Sequence, residues 1–231
     1  KTFNSEIARK TLCVPKNGSN LFKVILLNQV GIPTATLPEL DNIWEQDKDF
    51  LKGFYEDDSA VVLRSAGDSY KQNNYLAKSL SKLLGKAKKY PYILKGLKLA
   101  EDNDSDYGLK LVPADNFDIL KAQDFVHSNN QRKFSRINPD YSIEFDDHGK
   151  RILYTKQDGV SGLCLSGNSL LNSGCNYLAD SYSDGRVVVK SAEGASQKVL
   201  EDRLKQLQDA RNKEIERIQE RYTQAEAILR G

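Results

Sequence analysis

Apolar and polar positions along this chain change period several times, and each change predicts an element. Asn17-Gly18-Ser19-Asn20 is a turn with helix-capping chemistry, and NLFKVILLNQV after it is apolar enough for a buried helix ending at Gly31. Pro33 and Pro38 punctuate the connection. From Leu37, the apolar residues Leu40, Ile43, Trp44, Phe50, Leu51 and Phe54 recur at helical spacing, which predicts an amphipathic helix over 38–55 with Trp44 on its buried face. AVVLRS (60–65) reads as a short strand. Asn73 and Asn74 suit the cap of a helix whose stripe is Tyr75, Leu76, Leu80, Leu83 and Leu84, stopped by Gly85.

Strand patterns dominate the middle of the chain. YPYILKGLKLAED and YGLKLVP alternate around a polar turn at 102–106 and predict a hairpin. YSIEF (141–145), the turn Asp146-Asp147-His148-Gly149 and RILYTK (151–156) predict a second. Leu163 and Leu165, then Val187 and Val189, predict two strands bracketing a polar loop from 166 to 184. Antiparallel strands with a few helices are the α+β pattern.

Residues 197–230 are of another kind. Leu200, Leu204, Leu207, Ile215, Ile218, Tyr222, Ala225 and Leu229 follow spacings of three and four, broken at Arg211, with seven basic and seven acidic residues from 201 to 230 on the other faces. One continuous helix here would be about 50 Å long. So narrow a seam suits a coiled coil or bundle edge, and packing along the helix's own domain is the alternative.

Composition narrows the function classes. With 231 residues, 39% hydrophobic and 9% aromatic, the chain has material for a packed core and an appendage. A net charge of +2, from 34 basic and 32 acidic residues, creates no field that gathers nucleic acid or anionic lipid. Three cysteines, at 13, 164 and 175, form no regular framework, and no apolar run is long enough for a membrane span. With Lys1 first and no Met anywhere, a start residue, with or without a leader, is expected to have been removed or to lie outside this sequence. No signal or transmembrane segment is visible, and cytoplasmic and surface- or virion-associated locations both stay open.

Catalytic chemistry finds little material. Cys164 and Cys175 lie eleven apart with no further ligand beside them, so neither zinc nor a disulfide between them is expected. His127 and His148 read as solvent-exposed polar-segment and turn residues. Arg64-Ser65-Ala66-Gly67-Asp68-Ser69 lacks the glycine spacing and the Lys-Ser/Thr ending of a phosphate loop, and reads as a strand-end turn. Asp57-Asp58 and Asp146-Asp147 read as solvated turn acids without calcium-loop periodicity. No enzyme activity and no cofactor are expected.

One segment departs from ordinary composition. Residues 161 to 185, SGLCLSGNSLLNSGCNYLADSYSDG, use eight residue types: nineteen positions are Ser, Asn, Gly, Cys, Tyr or Asp, and the other six are five Leu and one Ala. Each of the six polar types is reached from an Asn codon by changing its adenines. Turn chemistry accounts for Gly, Asn, Asp and Ser, but not for two Cys and two Tyr in the same stretch. The run DGVSGLCLSGNSLLNSGCNYLADSYSDGRVVV, framed by KRILYTK and KSAEG, resembles the variable region of a diversity-generating retroelement target protein. Upstream segments such as DNIWEQDKDFLKGFYEDDSAVVLRSAGDSY and YSIEFDDHGKRILYT extend the resemblance over roughly residues 1 to 195. Better-known members carry Trp-rich elements around the cassette, whereas the single Trp of this chain, Trp44, lies far upstream.

The resemblance implies a C-type-lectin-like mixed antiparallel sheet with flanking helices, which the long C-terminal helix would follow. It divides the chain into an N-terminal helical segment (1–56), a lectin-like domain (57–195) and the helix (197–231). It implies a ligand-binding surface rewritten by adenine-directed mutagenesis, with an unknown protein or surface ligand as partner; the narrow seam and length of the last helix predict self-association through it. Leu163, Leu165, Leu178, Ala179, Val187 and Val189 are expected in the core, and Cys164, Ser166, Asn168, Asn172, Gly174, Cys175, Asn176, Tyr177, Asp180, Tyr182 and Asp184 outward as the solvent-exposed variable set. The alternative is a structural or assembly protein, such as a tail or filament component, whose polar stretch is merely a loop.

Overall fold

The hydroxyl of Ser19 accepts the backbone N–H of Phe22 at 3.1 Å and so starts helix α1 (Asn20–Gln29). Gly31, at φ +84, lets the chain leave it, as the sequence predicts. The computed structural model describes residues 19–85, 90–126, 132–167, 170–179 and 184–190, with scattered positions between 205 and 224.

Helix α2 (Leu37–Gln46) opens with a capping box between Thr36 and Glu39 and carries Pro38 in its first turn. It is half the length expected. The Asp47 carboxylate accepts the N–H of Asp49 at 3.0 Å, a local turn that competes with helix propagation, so Phe50, Leu51 and Phe54 fall beyond the end. Trp44 is buried as expected. Helix α3 (Lys71–Leu83) starts earlier than its asparagines suggest: Asn73 and Asn74 lie in its first turn and are not its cap.

The strands are β1 (Tyr55–Leu63), β2 (Tyr92–Glu101), β3 (Leu109–Lys121), β4 (Arg132–Ile137), β5 (Ile143–Phe145), β6 (Arg151–Thr155), β7 (Val160–Ser166), β8 (Leu170–Ser173) and β9 (Gly185–Arg186). They form one sheet in the order β3-β2-β1-β7-β8-β6-β4-β5, with β9 beside the start of β1. All pairings are antiparallel except β6 with β8 and β1 with β9. The chain is thus α+β, with a large, mostly antiparallel sheet.

The β2–β3 hairpin forms as expected, with Leu99 opposite Leu111. The second predicted hairpin does not. β4 lies between β5 and β6, and its Phe134 pairs with both Phe145 and Arg151. The segment RKFSRI gives no strand signal because only Phe134 and Ile137 in it are buried. β8 is a further correction, since it runs inside the expected 166–184 loop.

Both faces of the sheet are covered. On β1, Val61 and Leu63 join Leu21, Phe22, Ile25, Leu76 and Leu80 of α1 and α3, while Ala60 and Val62 join Leu37, Leu40 and Trp44 of α2 with Phe134, Leu163 and Leu165. Burial on both faces explains why AVVL is a continuous apolar run and not an alternating one. Val187 and Val189 are half-buried and are not core; Val189 makes a single bridge to Thr34. The described positions between 205 and 224 have helical backbone and are exposed, apart from half-buried Ile218; the remainder of 197–230 lies outside the described residues. Among the described residues no helix is long and apolar enough to cross a membrane.

Candidate ligand-binding site

Strand alternation divides β7 between two environments. Leu163 and Leu165 enter the core beneath α2, whereas Gly162, Cys164 and Ser166 face the α1 side. On one side of β7, β8 sets Asn172 opposite Cys164 and Leu170 opposite Ser166. On the other, β1 sets Asp57 opposite Cys164 and Tyr55 opposite Ser166. These three strands floor a cavity of about 220 Å³. Cys175, Tyr177, Leu178 and Asp184 complete its wall, and Leu21 of α1 closes one end.

The expected outward set therefore curves inward. Asn176 and Asp184 are exposed, but Cys164, Ser166, Asn172, Gly174, Cys175 and Tyr177 are half-buried, which corrects the expectation of a solvent-exposed face. Asn168, Asp180 and Tyr182 lie outside the described residues. Of the described members, Cys164, Ser166, Asn172, Cys175, Tyr177 and Asp184 share the cavity. The hydroxyl oxygen of Ser166 is enclosed and, among the described residues, has no hydrogen-bond partner.

Asp57 and Asp58 are not solvated turn acids. Both lie inside β1, where the pairing register with β7 shifts between Asp57 and Val61. Asp57 is 9% exposed and faces the cavity, and its Oδ2 accepts a hydrogen bond from Asn20 Nδ2 at 2.9 Å. Burial pushes its carboxyl up to about 7, against the Asn20 hydrogen bond and with the help of the nearby Asp58 charge. Asp58 accepts the Leu37 N–H at the start of α2 at 2.5 Å and the Tyr141 hydroxyl at 2.7 Å, and burial raises its carboxyl as well. Glu56 accepts the Val188 N–H through Oε1, its buried Oε2 has no partner among the described residues, and its carboxyl is pushed up to about 8, chiefly by burial. Asp146 and His148 occupy the expected turn, with the His148 N–H donated to Asp146 at 2.8 Å; His148 is exposed, and His127 lies outside the described residues.

Two supports hold the cavity wall in place. Asn73, wholly buried in α3, donates to the carbonyls of Val160 and Asn176 and accepts the Tyr107 hydroxyl at 2.5 Å. The Tyr177 ring sits 5.9 Å from Tyr107 and 6.2 Å, edge-on, from Tyr70. Beneath residues 161–173, buried Arg64 donates to Ser161 Oγ at 2.8 Å, to the Ser173 carbonyl at 2.7 Å, to Thr155 Oγ1 at 2.9 Å and to the Phe125 carbonyl at 2.5 Å. Burial lowers its pKa to about 9.

Cys164 and Cys175 are thiols, and burial pushes the Cys164 thiol well above its ordinary value. Among the described residues no group of three or more His, Cys, Asp or Glu is placed to hold a metal. Sequence reasoning missed Leu21, Tyr55 and Asp57. An acid in the motif Glu-Asp-Asp-Ser carries no signal of burial, because its enclosure comes from α1, 36 positions earlier in the chain for the Leu21–Asp57 pair. No protein-family model, curated protein or solved structure matches this chain.

Proposed function

We propose that this protein binds ligands in the cavity walled by residues 161–185, and that this segment is the variable cassette of a diversity-generating retroelement target on a C-type-lectin-like scaffold. The observation that carries the reading is a division by face. Residue types reached from Asn codons by adenine changes, at Cys164, Ser166, Asn172, Cys175, Tyr177 and Asp184, converge on one cavity, while Leu163, Leu165, Leu171 and Ala179 of the same segment are buried away from it. A scaffold tolerates variation where the core is spared, since a core substitution costs on the order of 1 to 5 kcal/mol. Tyr, Ser, Asn, Gly and Asp are also the vocabulary of antibody paratopes. Sequencing the coding locus tests this directly. A near-identical template repeat beside a reverse-transcriptase gene, differing opposite adenines, is expected; a locus with neither makes the segment an ordinary loop.

The cassette would be presented in several copies. The seam from Leu200 to Leu229 is narrow and its helix would be long, which suits a partner helix from a second chain. Association multiplies weak single-site affinities into avidity, an advantage where affinity is set by chance variation. Light scattering of the full chain and of a version truncated after Ala195 decides this: an oligomer that becomes a monomer is expected, and an unchanged mass rejects it.

A further inference from the structure

Part of the cavity lies beyond the reach of cassette mutagenesis. Leu21, Tyr55 and Asp57 come from α1 and β1, so they stay the same whatever is written at 161–185. Building on the retroelement reading, we infer that Asp57 is a constant anchor for a primary alkylammonium group, so that ligands taken by different cassettes share a positive charge at this point.

The chemistry around Asp57 supports this assignment. Its Oδ2 is held by Asn20 at 2.9 Å, and among the described residues that is the one hydrogen bond that steadies its charge. A carboxylate enclosed without a cation is costly, and an ammonium entering the cavity would supply the missing charge and donors. No Lys, Arg or His is among the described residues lining the cavity, and its exposed rim carries a second acid, Asp184. Leu21, Leu170 and Leu178 offer an apolar path for an alkyl stem, and the rings of Tyr55 and Tyr177 offer cation–π attraction. At about 220 Å³ the space is larger than the roughly 150 Å³ cavity known to take a benzene ring.

The full chain, titrated with n-butylammonium, n-butanol and butyrate at pH 8 and followed by amide NMR shifts, tests the anchor. Butylammonium is expected to bind at least about tenfold more tightly than the equally sized alcohol, with the largest shifts on Asp57, Cys164 and Asn172. Asp57→Asn keeps an acceptor for Asn20 and is expected to abolish that preference. Equal affinity for amine and alcohol in the unmodified protein, a reading that needs no variant to fold, overturns the anchor. So does an ammonium preference that survives in a folded Asp57→Asn. A lysine-containing peptide run beside the free amine separates the sources: tighter peptide binding assigns the ammonium to a protein surface, and equal binding assigns it to small amines. Tyr177→Ser and Asn172→Tyr separate the two proposals. They are expected to re-rank amines of different shape while the charge preference persists; unchanged ranking rejects the variable cassette and leaves Asp57 standing.

Discussion

The carbonyl oxygen of Leu51 occupies the space that a β-carbon on Gly167 would need, and Gly167 donates its N–H to the Phe54 carbonyl at 2.9 Å. On the proposed reading, Gly167 would be as open to rewriting as its neighbours in 161–185. By structure it is closed, because the obstruction is backbone and has nowhere to move.

Gly167→Ser is therefore expected to destabilise the protein by more than about 2 kcal/mol. Gly174→Ser is expected to change stability by less than about 1 kcal/mol, since a β-carbon there meets its nearest neighbours, atoms of Thr155, at 3.5 Å. Urea unfolding of the two variants measures the difference, and equal midpoints would contradict the packing at Gly167.

Arg64 divides residues 161–185 in the same way. Ser161 and Ser173 are fully buried against its guanidinium, so they hold β7 and β8 together and do not face the cavity. Arg64→Lys keeps the charge but loses the fork, and a loss of about 2 to 4 kcal/mol in chemical denaturation is expected. In a library selected for folding alone, Ser is expected to be retained at 161 and 173 while 164, 172, 175 and 177 vary.

Stability should fall as pH rises through neutrality. Glu56 and Asp57 have carboxyls raised in the folded state to about 8 and about 7, so the folded protein holds protons that the unfolded chain releases above about 4.5. Their contribution is complete below that pH and is lost as pH rises through 7 and 8. Glu56→Gln, which keeps an acceptor for the Val188 N–H, is expected to melt at least about 5 °C above the unmodified protein at pH 9 and close to it at pH 5. Melting curves at the two pH values check this, and a parallel offset at both would show that charge is not the cause.

Burial, the Asp57 charge and Cys175 all raise the Cys164 thiol, so little thiolate is present at pH 8. Iodoacetamide is expected to label Cys164 at least about tenfold more slowly than glutathione at that pH. Peptide mapping of a time course gives the rate, and labelling as fast as glutathione would place Cys164 in open solvent.

Local pattern was enough wherever neighbours in the chain made the decision. The cap at Ser19, the stop at Gly31, the β2–β3 hairpin and the burial of Trp44, Leu163 and Leu165 follow from turn chemistry and from periods of two and 3.6, which are properties of contiguous residues. The restricted composition of 161–185 was equally legible, because it is written in the residues themselves. Tertiary structure decided the rest. β4 took its place between β5 and β6 through partners distant in sequence, and β8 formed because β7 and β6 flank it. The surface expected to face outward became a cavity because α1 packs over β1 and β7 and brings Leu21 and Asn20 to Asp57. Burial is a property of what lies across the fold, so no pattern along β1 could announce that Asp57 is enclosed, or that Gly167, Ser161 and Ser173 hold the framework while their neighbours face the cavity.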